Sequence, residues 1–270
     1  MKQEINLTSV SETMLVPLYA RAIESQKKSP EFVDKTAIKI MENLDYDFKK
    51  RFKTSTNKMN FWGCSARTVI LDKQTKEYIN KNPKATIINI ACGLDDRFSR
   101  VDNGQIKWYN IDFEDIIQLR ENLIKQQDRV TNIASSALDF KWINQIENKE
   151  KVLIIAEGFL MYLEEREVQK LFNQISKKFQ NVEILIELMS KWMVKNQKVH
   201  DTTRTTGAVF KWGIKNSKDF EKICPEYTLI KEYNLTDEMK KYSPIFIRLI
   251  SPFLKTRNNR ITHFKKNNNS

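Results

Sequence analysis

Five short apolar segments recur between residues 86 and 189, and helical patterns separate them. They are TIINIAC (86–92), IKWYNID (106–112), VTNIAS (130–135), KVLIIAE (151–157) and VEILIELM (182–189). Apolar runs of this length, rich in β-branched residues, predict strands that are buried on both faces. Helical patterns follow the second segment up to about Lys125 and the fourth from about Glu164 to Phe179. This alternation predicts βαβ units, and therefore an α/β fold with a mostly parallel sheet and helices on both of its faces.

The first 82 residues predict helices alone. Apolar residues recur at helical spacing in residues 11–28, with Ser11 as a plausible N-cap, and again from Pro30 to about Leu44. A third helical pattern runs from about Ser65 to Asn80, where Asn82-Pro83 breaks it. We therefore expect an N-terminal helical cap over residues 1–82, followed by a sheet domain over residues 83–270.

Two further strands are expected after residue 190, and they bring the sheet to seven. YTLIKEYN (227–234) predicts a strand, KYSPIFIRLISPF (241–253) a helix, and RITHF (260–264) alternates like an edge strand. Residues 191–216 are rich in Trp, Lys and Thr and predict an insertion over the sheet. Long irregular stretches of this kind in compact domains are often functional lids.

Composition excludes several classes of protein. With 270 residues, 40% hydrophobic, and six Gly and six Pro, the chain is typical of a globular protein. No apolar run approaches the roughly 18–20 residues that span a bilayer, and the N-terminus is polar where a signal peptide needs an apolar core, so we expect a cytoplasmic protein. Three cysteines and two histidines favour neither a disulfide framework nor a metal site.

Positive charge is concentrated in the last third of the chain. Residues 191–270 hold 17 Lys and Arg against 7 Asp and Glu. Such a balance could serve an anionic substrate, a nucleic acid or a membrane surface, but a solvated surface is the simpler interpretation. The sequence contains no separate nucleic-acid-binding module and no apolar run long enough to span a bilayer, so we expect neither a nucleic acid nor a membrane as partner.

Three strand ends carry residues suited to a ligand site. Gly93 lies in the turn NIACGLDDRFSR (89–100), and Asp112 and Glu157 end the second and fourth predicted strands. Ligands of open α/β sheets bind at the carboxyl ends of the strands, and an acid about 20 residues past the glycine turn suits ribose hydroxyls. Asp112 could instead cap the following helix. Glu157, costly to bury unpaired, should meet a cation or lie at a pocket mouth; the alternative is an exposed turn.

Longer strings give the chain a family resemblance. They are FWGCSARTVILD (61–72), IINIACGLDDRFSRVDNGQIKWYNIDFEDIIQLR (87–120), SSALDFKWI (135–143), IIAEGFLMYLEEREVQKLF (154–172) and MSKWMVKNQKVHD (189–201). With the helical N-terminus they cover roughly residues 11–265. The chain resembles class I S-adenosylmethionine-dependent methyltransferases, in the branch of leucine carboxyl methyltransferases and polyketide-biosynthesis O-methyltransferases. The resemblance implies a Rossmann-like fold.

The resemblance also implies a cofactor and the residues that bind it. S-adenosylmethionine would place its carboxylate on Arg67, because a guanidinium binds a carboxylate in bidentate geometry. Gly93 would let its loop pass under the methionine part of the cofactor, and Asp112 would hold the ribose. The remaining implied positions are Ala137 and Leu138 beside the adenine, Glu157 at the methionine end, and Arg97 as a characteristic residue that could buttress the loop.

The sequence departs from the family pattern at two positions. Ala91 fills the first glycine position of the common Gly-x-Gly loop, and Ala137 replaces an acid in the adenine region. Both put the affinity for the cofactor in question. They motivate one alternative, a methyltransferase-like protein that binds a partner without catalysis.

The expected reaction is methyl transfer to a hydroxyl or carboxylate of a small, polyketide-like molecule, by in-line displacement with water excluded. A carboxylate needs no base, whereas a hydroxyl would benefit from one. Tyr162 and His200 are the weak candidates, since a structural role for His200 and a packing role for Tyr162 are the favoured interpretations. Trp192, Phe210 and Trp212 could line an aromatic pocket or pack in the core. A protein C-terminal carboxyl methyltransferase is the alternative within the family. The sequence leaves the oligomeric state open.

Overall fold

The computed structural model describes residues 12–52, 58–199, 203, 206–241, 243 and 245–267. It contains a seven-stranded sheet with helices on both faces, as expected from the alternation. The strands are β1 (Thr86–Ile90), β2 (Lys107–Asp112), β3 (Val130–Ala134), β4 (Val152–Ala156), β5 (Val182–Leu188), β6 (Tyr227–Asn234) and β7 (Arg260–Lys266).

The strand order is β3-β2-β1-β4-β5-β7-β6. β1 to β5 pair in parallel, and β7 pairs antiparallel with both β5 and β6. The prediction that residues 260–264 form an edge strand is therefore wrong, because β7 lies between two strands and β6 takes the edge. Apolar and polar residues alternate in β7 because Ile261 and Phe264 pack into the two cores on opposite faces of the sheet.

Eleven α-helices belong to the described part of the chain. They are α1 (Leu15–Ser25), α2 (Lys35–Asn43), α3 (Phe48–Arg51), α4 (Lys58–Lys81), α5 (Phe98–Val101), α6 (Glu114–Leu123), α7 (Glu165–Lys178), α8 (Lys191–Lys195), α9 (Lys218–Ile223), α10 (Leu235–Met239) and α11 (Ile245–Lys255). Three short 3-10 helices lie at Phe140–Gln145, Leu160–Tyr162 and Gln197–Val199. Within this part of the chain, none of the helices combines the length and apolarity needed to cross a bilayer.

Two predicted helix starts are wrong. α2 begins at Lys35 rather than near Pro30, because the Asp34 side chain accepts a hydrogen bond from the Ala37 backbone N–H and caps the helix there. α4 begins at Lys58, about two turns before the predicted Ser65. Ser11, the expected cap of the first helix, lies outside the described residues.

The N-terminal helices build a hydrophobic core that also includes residues of the sheet domain. Leu15, Leu18 and Tyr19 of α1 cluster with Leu94, which follows β1, and with Leu119 of α6. The helical segment therefore packs directly onto the turn after β1. A domain boundary at residue 82 stays a prediction, because α4 contributes both to this core and to the core beneath the sheet.

The insertion over residues 191–216 is partly packed into the protein. Ile214 forms a parallel bridge with Ser190, and both Phe210 and Trp212 are buried. Trp212 belongs to the main core, where its indole N–H donates to Glu165. His200 lies outside the described residues.

Candidate functional site

A cavity of about 1050 Å³ lies at the carboxyl ends of β1, β2, β4 and β5. Its volume is at the top of the range of about 300–1,000 Å³ for small-molecule sites, so it has room for more than one ligand. The predicted residues that line it are Arg67, Ala91, Gly93, Asp112, Glu157 and Tyr162. The topology thus brings together side chains that are up to 95 positions apart in the sequence.

Gly93 and Asp112 join the first two strands at the floor of the cavity. The Gly93 N–H donates to Asp112 Oδ2 at 2.8 Å, and the Phe113 N–H donates to Oδ1 at 2.9 Å. The alternative role of Asp112 as a helix cap is not seen, since Phe113 takes the N-cap position of α6 and no side chain caps it. Each carboxylate oxygen keeps a further lone pair that can accept from a ligand.

The environment of Asp112 changes its acidity. Burial raises the pKa of this carboxyl above its ordinary value, and the hydrogen bonds from Gly93 and Phe113 offset only part of the effect. A ligand hydroxyl that donates to Asp112 would favour the ionised form and lower its pKa.

The turn after β1 is held in a left-handed backbone conformation. Gly93 has φ of +50° and Ala91 φ of +52°. A Cβ on Gly93 would lie 3.2 Å from Met14 Cβ, so this position favours glycine on two grounds. Ala91 carries its Cβ in a conformation that L-residues rarely adopt, which explains why a glycine would suit that position better.

Arg67 reaches from α4 between the ends of β4 and β5. Its Nε lies 2.6 Å from Glu157 Oε1, and its Nη1 donates to Glu187 Oε2 at 2.7 Å. Glu187 also accepts from the Gly158 N–H at 2.9 Å. Arg67 therefore separates two carboxylates that would otherwise face each other across adjacent strands.

Glu157 meets cations, as its position after an apolar strand predicted. Its second oxygen accepts from Arg97 Nη2 at 2.6 Å. Burial alone would raise the pKa of Glu157, but the guanidinium groups of Arg67 and Arg97 outweigh burial and hold that pKa below its usual range. The guanidinium groups of Arg97 and Arg100 likewise outweigh burial and lower the pKa of Asp95.

These ion pairs extend into one network, part of which lines the cavity. Its members are Arg21, Arg67, Arg97 and Arg100 with Asp34, Asp72, Asp95, Glu157 and Glu187. Arg97 is almost fully buried at its centre, so it buttresses the turn rather than facing the cavity. Five carboxylates against four guanidinium groups leave one negative charge in excess, which favours a ligand with a positive charge.

Two predicted positions lie away from the cavity. Ala137 and Leu138 are in the loop after β3, where the Ala137 carbonyl accepts from Trp142 Nε1 and the Leu138 N–H donates to Ser136. Neither lines the cavity, because both pack against the main core. The loop still adjoins the site, since the Ser135 N–H donates to the Asp112 carbonyl.

The opposite half of the cavity is apolar. Met161, Met189 and Phe210 form a small core of their own, and Tyr162 packs on it with its ring 5.7 Å from that of Phe210. The Tyr162 hydroxyl is hydrogen bonded to Thr13, and burial raises the pKa of Tyr162. Burial therefore favours the protonated form of Tyr162, which can donate a hydrogen bond.

One aromatic side chain and two cations also line this mostly apolar half of the cavity. Trp192 lines the cavity, and the Arg257 guanidinium lies 5.0 Å from its ring centre. Lys211 lines the cavity as well. Of the three aromatic residues proposed for a substrate pocket, Trp192 and Phe210 line the cavity and Trp212 does not.

Among the lining residues that were not predicted from the sequence, Glu187 and Asn89 have polar groups suited to a ligand. Glu187 carries the same signal that singled out Glu157, a carboxylate within an apolar strand, and could have been found by that argument. Asn89 of β1 is buried and lines the cavity, and its Nδ2 has no hydrogen-bond partner within the described residues. Such an amide suits a ligand oxygen, and the sequence offers no signal for it.

The chain is similar in sequence to known methyltransferases. A family model described as leucine carboxyl methyltransferase matches residues 14–176. The tetracenomycin polyketide synthesis O-methyltransferase TcmP of Streptomyces glaucescens is 29% identical over 88% of this chain and 87% of its own length. The S-adenosyl-L-methionine-dependent methyltransferase dpfgK of Gibberella zeae is 26% identical over 83% of this chain and 82% of its own length.

The fold also has solved relatives. The magnesium protoporphyrin IX methyltransferase ChlM of Synechocystis, with bound SAH, superposes with a TM-score of 0.51 at 10% identity. The match covers 87% of this chain and all of that one. At this identity the likeness concerns the fold, and it agrees with the α/β sheet described above.

Proposed function

The chain belongs to the leucine carboxyl methyltransferase family, and we propose that it methylates an ionised oxygen of a small molecule held in the cavity. It is an S-adenosylmethionine-dependent methyltransferase. The observation that carries the proposal is the division of one cavity into a charged half at the strand ends and an apolar half beside it.

The charged half fits S-adenosylmethionine. The left-handed turn at Gly93 lets the backbone approach a ligand, and a Cβ on Gly158 would come within 3.4 Å of Arg67 Nη1. The excess negative charge of the ion-pair network suits a ligand that carries a sulfonium and an ammonium group. When bound, the cofactor supplies a methyl group that is already activated for transfer.

Different residues of the charged half would bind different parts of the ligand. Arg67 would bind the carboxylate with the part of its guanidinium that faces the cavity, while Glu157 and Glu187 fix its orientation. Asp112 would accept from the ribose hydroxyls. The adenine would lie toward the loop after β3, which adjoins Asp112 through the Ser135 N–H, and direct contacts of Ala137 and Leu138 with it stay a prediction. These roles are part of the proposal.

The apolar half would bind the methyl acceptor. Met161, Met189, Phe210 and Trp192 offer contact surface for an apolar or aromatic body and exclude water from the reacting atoms. Arg257 and Lys211 add positive charge at this half of the cavity. An acceptor with an anionic oxygen matches both properties.

The acidities of three lining groups support an acceptor that arrives ionised, and Asp112, whose pKa is raised, is assigned to the ribose in this proposal. The pKa of Tyr162 is raised by burial, and guanidinium groups keep the pKa values of Asp95 and Glu157 low, so none of the three is a good proton acceptor at neutral pH. A carboxylate or an acidic phenol needs no base.

Paired acceptors test this proposal. Aromatic carboxylic acids and their neutral alcohol counterparts would be incubated with the enzyme and methyl-labelled S-adenosylmethionine at several pH values. We expect label in the acids, with a rate that is flat with pH above the acceptor's own pKa. Methylation of the neutral alcohols alone, rising with pH through an enzyme group, would contradict an ionised acceptor.

A further inference from the structure

Helix α11 presents an apolar stripe to solvent. Ile245, Leu249 and Phe253 follow one another at intervals of four residues and are 75%, 75% and 69% exposed. Residues four apart lie on the same face of a helix, so the three side chains form a continuous surface. We call these three residues the α11 stripe. An exposed apolar surface of this kind marks an interaction site.

The segment that carries the α11 stripe has a net positive charge. Residues 235–259 contain five Lys and Arg and two Asp and Glu. Both acids are already engaged: Asp237 pairs with Lys240 at 3.1 Å and Lys255 at 2.6 Å, and Glu238 pairs with Lys241 at 2.7 Å. The surface next to the stripe therefore has a net positive charge, which matches a negatively charged partner.

The size of the stripe argues against a second copy of the chain. An 11-residue helix is about 16 Å long and about 10 Å wide, which offers a few hundred Å² at most. A stable protein interface needs roughly 800 Å² from each partner. Two copies would also bring their positive surfaces together. A lipid bilayer needs no matching partner surface, and anionic headgroups would neutralise the charge.

The stripe leads toward the cavity. Leu254 of α11 and Arg257, which follows the helix, both line the cavity. Arg257 contacts Trp192, whose side chain lines the cavity and is 39% exposed. Trp and Arg beside an apolar helix face are typical of proteins that lie at a membrane interface.

We propose that the α11 stripe docks the enzyme on an anionic phospholipid bilayer, with the cavity mouth next to the lipid. Apolar side chains would enter the headgroup region while the flanking lysines and arginines contact anionic headgroups. An apolar methyl acceptor that dissolves in the bilayer would then reach the cavity from it. The sequence alone favoured a solvated surface because it does not show which face of this helix is covered.

Vesicle co-sedimentation tests the proposal. The full chain would be mixed with vesicles of phosphatidylcholine alone, or of phosphatidylcholine with phosphatidylglycerol. We expect binding to the vesicles that contain phosphatidylglycerol and a loss of binding with added salt. The double variant Leu249→Ser and Phe253→Ser should bind roughly tenfold more weakly, since two apolar groups no longer leave water.

A matched variant and a second measurement keep the result clear. Ile230→Ser removes an exposed apolar side chain from the edge strand β6 and should leave vesicle binding unchanged. The double variant should keep its affinity for S-adenosylhomocysteine, which separates docking from cofactor binding. Equal vesicle binding by the double variant would overturn the proposal. So would a dimer that light scattering detects in the parent chain and not in the double variant.

Discussion

The Gly93 N–H donates to Asp112 Oδ2 at 2.8 Å and ties the turn after β1 to the end of β2. The contact gives Asp112 two functions, since the same carboxylate that holds the turn also faces the cavity. A change at this residue should therefore affect both the backbone of the site and its ligand.

Replacing Asp112 should weaken the binding of ligands that contain adenosine. We expect Asp112→Ala to reduce the affinity for S-adenosylhomocysteine by about 1.5–3 kcal/mol, the value of a hydrogen bond to a charged group. Isothermal titration measures the change. Asp115→Ala, at an exposed acid that also lines the cavity, should have little effect. A loss of thermal stability with unchanged affinity would restrict Asp112 to holding the turn.

The acidity of Asp112 makes this affinity depend on pH. Burial raises the pKa of Asp112 above its ordinary 3.8, and ribose hydroxyls donate to its ionised form. Affinity should thus be complete above this raised pKa and fall as the pH is lowered through it, because protons compete with the ligand. Titrations in a series of buffers measure the trend. Asp112→Asn should bind more weakly and lose this part of the pH dependence.

Arg67 should recognise the amino-acid end of the ligand. Arg67→Lys keeps the charge but loses the planar fork, so we expect affinity for S-adenosylhomocysteine to fall about tenfold, or about 1.4 kcal/mol. Methylthioadenosine has no carboxylate and should bind both proteins equally well. An equal loss for the two ligands would show that Arg67 acts by supporting the fold of the site.

The buried ion pairs should make the protein sensitive to acid. Guanidinium groups overcome burial and lower the pKa values of Glu157 and Asp95 below their ordinary 4.5 and 3.8. The stability that these carboxylates contribute is present above the ordinary values and lost as the pH falls from them toward the lowered ones.

Thermal unfolding as a function of pH measures this loss. Glu157→Gln should destabilise the protein at neutral pH by about 3–5 kcal/mol, because it leaves guanidinium groups buried without their partner, and should flatten the acid side of the curve. Glu147→Gln, at an exposed pair with Lys107, should change neither the stability at neutral pH nor the acid side of the curve. A parallel acid curve for Glu157→Gln would show that other groups cause the acid sensitivity.

Ala91 offers a stabilising change. Its φ of +52° is unfavourable for a residue with a Cβ, so Ala91→Gly should stabilise the protein by about 0.5–1 kcal/mol after the entropy of the unfolded chain is subtracted. Denaturant unfolding measures the difference. Ala66→Gly in the middle of α4 should instead destabilise by about 2 kcal/mol, because it lowers helix propensity and removes a buried methyl group. Destabilisation by Ala91→Gly would mean that the Ala91 methyl group makes contacts worth more than the strain.

Much of the sheet could be predicted from the sequence, because buried parallel strands such as β1, β4 and β5 consist of apolar runs. The expectation of burial on both faces is wrong for β3, which lies at the edge of the sheet and is only partly buried. The place of β7 could not be predicted, since alternation does not tell whether a strand has one neighbour or two. Helix starts were less accurate for a similar reason: Asp34 caps α2 through a contact that competes with the proline signal at Pro30.

The candidate site was predictable where a single residue carries an unusual signal. Glu157 in an apolar context predicted cations nearby, and it meets Arg67 and Arg97. The cationic partners themselves come from segments 60 to 90 positions away, which no local pattern specifies. Ala137 and Leu138 rested on the resemblance alone, and their contribution to adenine binding stays a prediction.

Calorimetric titration of the purified chain with S-adenosylhomocysteine, repeated with Asp112→Ala and Arg67→Lys, tests the central claim most directly. We predict one site with micromolar affinity in the parent chain and weaker binding in both variants. Binding that both variants retain in full would place the cofactor outside this cavity. No binding by the parent chain, even at millimolar ligand, would contradict the account of the site.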